Sequence, residues 1–165
     1  MYTLQKETVV ETSMEQAWDF IRSPANLNLI TPADMAFEIM TDLPDEMSEG
    51  MLVEYRVQIP FIGKQAWLSE IKYIVPGRSF VDEQKIGPYK FWYHYHEIRP
   101  EESGVRFIDR VTYEVPFGPL GKLAHALFIR KTLERIFSFR EQRFGELLGP
   151  ETIVPLRTDH KAAQR

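Results

Sequence analysis

The chain contains no cysteine. That excludes disulfide staples, thiol nucleophiles and thiolate metal sites. An excess of positive charge is also missing. The net charge over 165 residues is -4, so no broad basic surface for nucleic acid is expected. No apolar run approaches the ~20 residues of a membrane-spanning helix. The first residues, with Lys6, Glu7 and Glu11, lack the apolar stretch of a signal peptide. The expectation is a cytoplasmic protein without integral membrane association. No repeat and no break in composition divides the chain. Apolar and aromatic side chains are plentiful, at 44% and 13% of residues. That supplies one domain with a real core and enough rings to line a cavity.

Read in order, the periodicity predicts a first strand over 2–11. A helix follows with Ser13 as N-cap and Gln16 completing a capping box. After Pro24, residues 25–30 read as a second short helix, ended by Thr31-Pro32. Six strands come next: 36–40, a third after Gly50, 65–75, 80–86, 90–98 and 105–115. The third alternates cleanly, with Val53, Tyr55, Val57 and Ile59 against Glu54, Arg56 and Gln58. A long helix over 120–148, roughly 40 Å in length, carries Leu123, Leu127, Leu133, Ile136, Phe137, Phe144 and Leu147 on its apolar side. Arg130, Lys131, Arg135 and Arg140 read as its wet side. Gly149-Pro150 stops it. Residues 1–149 form one domain, and 150–165 read as a disordered tail. The implied class is α+β: seven antiparallel strands curved around a long C-terminal helix, with two short helices after the first strand.

The stretch that departs from simple core patterning runs over 80–98. It reads as a β-hairpin turning at Gly87-Pro88. One face of its arms carries Asp82 and Gln84, the other arm Trp92, His94 and His96, where a plain core takes Val or Ile. A three-residue turn at 87–89 sets Asp82 opposite His94 and Gln84 opposite Trp92. A connection of about six residues at 100–104 sets His94 near Asp109. The expected result is a row Asp82–His94–Asp109 across three strands, with Cβ spacings of ~5 Å. A slip of two residues breaks the row. A His between two carboxylates is expected to hold its proton to higher pH. Such a row is a candidate ligand anchor, a candidate set of catalytic acid–base groups, or a buried ion network that fixes strand register. Trp67, Trp92, Tyr55, Tyr73 and Tyr113 fall on the inward phase as cavity lining or ordinary core. Gln84 and His96 join them as candidate ligand contacts. His94-x-His96 with a nearby Asp also suits a metal. Without a further spaced ligand motif, no metal or other cofactor is assigned.

The element order together with this hairpin resembles the helix-grip or START-like superfamily, also called SRPBCC, over nearly all of 1–149. The pattern is most like that of bacterial ligand-binding SRPBCC proteins, which include polyketide cyclase/dehydrase-like members. It is carried by N-L-I-T-P at 28–32, Trp67, F-x-D-x-Q-x-x-G-P-Y at 80–89, W-x-H-x-H at 92–96 and D-x-V-x-Y-x-x-P-x-G at 109–118. The resemblance implies a hydrophobic cavity between sheet and long helix. It implies no reaction, because that fold hosts carriers and enzymes alike. Three readings stay open. The first is a carrier for a small hydrophobic or amphipathic molecule such as a lipid, isoprenoid, quinone or polyketide. The second is a cyclase or dehydratase using His94, Asp82 and Asp109. The third is an interaction module with a closed core. The sequence leaves the oligomeric state open.

Overall fold

The computed structural model describes residues 1–35, 37–44, 47–59 and 63–150. Most of the tail predicted from residue 150 therefore lies outside the described residues, as do residues 60–62 of the turn expected at 60–63. The strands are β1 (Tyr2–Val10), β2 (Phe37–Ile39), β3 (Leu52–Ile59), β4 (Gly63–Val75), β5 (Ser79–Ile86), β6 (Phe91–Glu101) and β7 (Gly104–Glu114). They form one antiparallel sheet in the order β1-β7-β6-β5-β4-β3-β2. Helix α1 (Met14–Ile21) and the 3-10 segments Pro24–Ile30 and Ala33–Met35 connect β1 to β2. The capping box on α1 is present as read: the Ser13 hydroxyl accepts from the Gln16 amide, and the Gln16 side chain reaches back. The long helix comprises α2 (Gly118–Ala124), a π turn (His125–Ile129) and α3 (Arg130–Leu148). The fold is the α+β helix-grip arrangement.

Three local expectations need correction. Leu123 and Leu127 are 57% and 53% exposed. The buried residues in this part of the helix are Gly121 and His125. A Cβ on Gly121 would lie 1.8 Å from the Pro116 carbonyl oxygen, so this face packs too closely for a side chain. Leu123 lies two residues from both Gly121 and His125, about 200° around the helix, and so faces outward. Tyr73 is 62% exposed, not inward. The pairing of β4 with β5 shifts between Lys72 and Val75, and Tyr73 takes a left-handed φ of 53° there. The irregularity reverses the side-chain phase. The Glu49 carboxylate accepts from the freed amides of Tyr73 and Ile74, at 2.9 and 3.1 Å.

The third correction concerns register. β6 and β7 stay paired as far as Glu101↔Gly104, leaving only Glu102 and Ser103 as the loop. The turn is shorter than the six residues expected, because the strand runs through Pro100. Its β5 partner has ended by then, so the missing proline amide breaks no ladder. Asp109 consequently pairs with His96, and His94 pairs with Val111. On the other side, Asp82 does lie opposite His94.

Two apolar clusters fill the space between sheet and helices. One gathers Val53, Tyr55, Trp67, Trp92, Val111, Tyr113, Leu133 and Phe137. The other gathers Val10, Ala17, Ile30, Ile98, Val105, Phe107 and Phe144. Side chains on one strand face repeat every two residues and on one helix face every three to four. Each element crossing from one cluster to the other therefore passes through an intermediate level. On β7 that level holds Asp109, between Phe107 and Val111. On β6 it holds His94 and His96, between Trp92 and Ile98. On α3 it holds Arg140, between Phe137 and Phe144.

Candidate functional site

These intermediate residues meet. Asp109 Oδ1 lies 2.8 Å from His94 Nε2, 3.0 Å from His96 Nδ1 and 3.2 Å from Arg140 Nη1. The two-residue slip does not remove Asp109 from His94, because the carboxylate reaches diagonally across the strand pair. His94, Asp109 and Arg140 are all buried. The rings are held by stacking. Phe80 lies parallel to His96 at 4.4 Å, Phe137 packs edge-on to His94 at 5.2 Å, and the Arg140 guanidinium covers Phe137 at 4.8 Å.

Burial alone would raise the Asp109 carboxyl. The Arg140 guanidinium and the hydrogen bonds from His94 and His96 outweigh it and hold the group well below the usual carboxylate range. Asp109 is therefore the anion of the cluster. His94 goes the other way from the expectation drawn from sequence. Burial, helped by His96, pushes its imidazole down to about 3 against the pull of Asp109. The neighbouring carboxylate favours a retained proton, but desolvation dominates for a ring this deep. A neutral His94 donates from Nε2 to the Asp109 carboxylate, which leaves Nδ1 as its acceptor.

Asp82 stands apart from this pairing. Burial raises its carboxyl, while a hydrogen bond from Ser69 and the charges of His96 and Arg140 pull the other way. Its Oδ1 is covered yet has no hydrogen-bond partner among the described residues, and the same holds for Arg140 Nε. Both residues line a cavity of about 70 Å³. Its other walls come from Phe20, Leu27, Ile30, Tyr55, Ile71 and Phe144, together with His94 and His96. Arg22, Ser23, Pro24 and Asn26 border it on the 3-10 side. Burial raises the Tyr55 hydroxyl, and the Asp82 charge adds to this, so the phenol stays protonated.

Of the residues singled out from sequence, Asp82, His94, His96 and Tyr55 line this cavity. Asp109 sits beneath the two imidazoles and borders a second, smaller void beside His96. Trp67, Trp92 and Tyr113 belong to the apolar cluster instead. Trp67 donates from Nε1 to the buried Ser69 hydroxyl at 3.0 Å. Gln84 is a turn clamp: it donates to the Tyr89 carbonyl at 2.7 Å and accepts from the Tyr89 amide at 3.3 Å. Pairing in the hairpin ends at Glu83↔Tyr93, so Gln84 has no rung to Trp92. Tyr73 is far out on the surface. Arg140, expected on the wet side of the helix, is buried. The signal was present, since Leu133, Phe137, Arg140 and Phe144 keep the 4-3-4 spacing of a buried stripe.

No family model matches the chain, and no curated protein matches it. Solved structures do. A START superfamily protein from Mycobacterium smegmatis is 15% identical and superimposes with a TM-score of 0.65, covering 89% of this chain and 99% of that one. A protein from Chromobacterium violaceum is 13% identical with a TM-score of 0.68, covering 92% and 100%. One from Thermus thermophilus is 17% identical with a TM-score of 0.64, covering 86% and 96%. At these identities the likeness establishes the fold. The chain has the START-like helix-grip fold, and among the described residues no helix is long and apolar enough to cross a membrane.

Proposed function

We propose that the chain binds a small amphipathic molecule in the cavity beside Asp82, His94, His96 and Arg140. The observation that supports this is that two residues lining a mostly apolar cavity, Asp82 and Arg140, each carry a covered polar atom, Oδ1 and Nε, without a hydrogen-bond partner among the described residues. A buried polar group without a partner costs about 1–3 kcal/mol. A ligand head group that accepts from Arg140 Nε and bonds to Asp82 removes that cost for both. The apolar end of the ligand then lies against Phe20, Leu27, Ile71 and Phe144, at about 25 cal/mol per Å² of apolar surface covered. About 70 Å³ is far below the ~300–1,000 Å³ of typical small-molecule sites. Entry of anything larger than a few waters therefore moves the Pro24–Ile30 wall outward.

A second reading is acid–base chemistry on that ligand, of the cyclase or dehydratase kind. Its support is geometric: Asp109 engages His94 Nε2 and orients the ring, which leaves Nδ1 to take a proton, while burial weakens that base.

The test is native mass spectrometry of the full chain purified from its own host, followed by organic extraction. The expected result is one organic molecule per chain, with occupancy lost in Leu27→Trp, which blocks the cavity, while circular dichroism stays unchanged. An empty wild type, or occupancy unaffected by Leu27→Trp, overturns the binding reading. A bound molecule whose identity changes in His94→Gln, at unchanged occupancy, selects the enzyme.

A further inference from the structure

We infer that Asp82, His94 and His96 form a site for a divalent transition-metal ion of the zinc type, at the polar end of the cavity. One ligand atom from each of the three lies within 4.8 Å of the others. Ligand atoms around a four-coordinate zinc with bonds of ~2.1 Å stand ~3.4 Å apart, so closure asks the side chains to shift by about 1 Å. Two imidazoles and one carboxylate, in a chain with no thiolate, are a donor set for Zn²⁺ and its first-row relatives rather than for Ca²⁺ or Mg²⁺.

Asp109 is the reason this set is more than a coincidence of spacing. Metal-binding imidazoles characteristically donate their second N–H to a carboxylate that fixes tautomer and ring orientation. Here a single carboxylate oxygen does this for both rings, taking His94 Nε2 at 2.8 Å and His96 Nδ1 at 3.0 Å. The lone pairs are then left on His94 Nδ1 and His96 Nε2. The stacked Phe80 and the edge-on Phe137 hold the rings in place. The third donor residue, Asp82, has a covered Oδ1 with no hydrogen-bond partner among the described residues. Charge points the same way. Asp109 and Asp82 are two carboxylates, and the guanidinium in the cluster, Arg140, is engaged by Asp109. Among the described residues Asp82 makes no direct ion pair, and a bound metal supplies one. Three protein ligands and an open side toward the cavity match sites that keep a position for water or substrate, not closed structural ones.

This inference deepens the reading above, because the open position faces the same cavity and suits an oxygen-bearing head group. The three protein ligands do not depend on that occupant. The test uses the full chain freed of metal by dialysis against chelator. Co²⁺ is titrated while its visible d–d absorption is followed, and Zn²⁺ by calorimetry. The expected result is one ion per chain with the intense bands of a four-coordinate site. Affinity falls about 100-fold or more in Asp82→Asn and in His96→Gln, falls about 10–100-fold in Asp109→Asn, and is unchanged in His125→Gln. No uptake by folded wild type overturns the inference. So does uptake that survives Asp82→Asn. Binding of 8-anilinonaphthalene-1-sulfonate that is lost in Leu27→Trp is measured on the same samples. Dye uptake without metal uptake sinks the metal and spares the cavity reading. Metal uptake without dye uptake upholds the metal and counts against the amphipathic ligand.

Discussion

Asp109 shows how one side chain can be given several tasks. A single oxygen receives two imidazoles and a guanidinium. It is buried, and its charge offsets the cost of burying Arg140. A second buried histidine behaves more simply. The His125 ring stacks on Tyr2 at 3.6 Å, and its Nε2 is hydrogen-bonded to the Tyr113 hydroxyl at 2.8 Å. Burial, then Arg130 and the chain's N-terminus, hold it below its ordinary 6.5. As pH falls below about 6.5 the unfolded chain takes up this proton before the folded one does. The contribution of His125 is thus complete above about 6.5 and is lost progressively as pH drops toward the lower folded-state value. Urea midpoints of wild type and His125→Gln, measured from neutral pH downward, should converge. A difference that stays constant with pH would contradict the shift.

At the scale of elements, the irregularities govern where side chains point. The β4 irregularity at Tyr73 puts a bulky residue in the left-handed region, at φ 53°. That conformation costs a residue with a Cβ roughly 1–2 kcal/mol and costs glycine almost nothing. The exposed ring gives little burial in return. Glu49 holds the local backbone through amides that glycine also has. Tyr73→Gly should therefore raise stability by about 0.5–1 kcal/mol in chemical denaturation, after the greater unfolded-state entropy of glycine is subtracted. A loss of stability would show that the ring packs in solution. In the long helix, the π turn at His125–Ile129 separates a half that packs through Gly121 and His125 from one that packs through Leu133, Phe137, Arg140 and Phe144. Read as one uninterrupted 3.6-residue pattern, the helix hides that change, which is why Leu123 and Leu127 fall in the apolar stripe of the sequence and yet face outward.

For the whole molecule, the question is whether two apolar clusters separated by a polar level act as one core. β6, β7 and α3 each run through both clusters and carry the polar level between them. Neither cluster can come apart without exposing the Asp109–Arg140 pair. Unfolding should therefore be a single transition. Trp18 packs on one cluster, and Trp67 and Trp92 sit in the other. Tryptophan emission from Trp18→Phe and from a Trp67→Phe/Trp92→Phe double variant should give urea midpoints that coincide with far-ultraviolet circular dichroism. Resolved midpoints would mean two separately folding cores.

The alternation in each strand, the capping box at Ser13 and the pairing of Asp82 with His94 were all readable in order along the chain. Each depends on backbone geometry across a few residues or one tight turn. The pairing of Asp109 with His96 was not, because it depends on how far β6 continues past Pro100, and that is set by β5 ending beside it. Arg140 was half legible. Its place in the buried stripe is a matter of helical spacing, but its partner is Asp109, 31 residues away on another element. The state of His94 was decided by tertiary structure alone. The neighbouring carboxylates visible in the sequence argue for a retained proton, and only the packed helix above the ring supplies the desolvation that removes it.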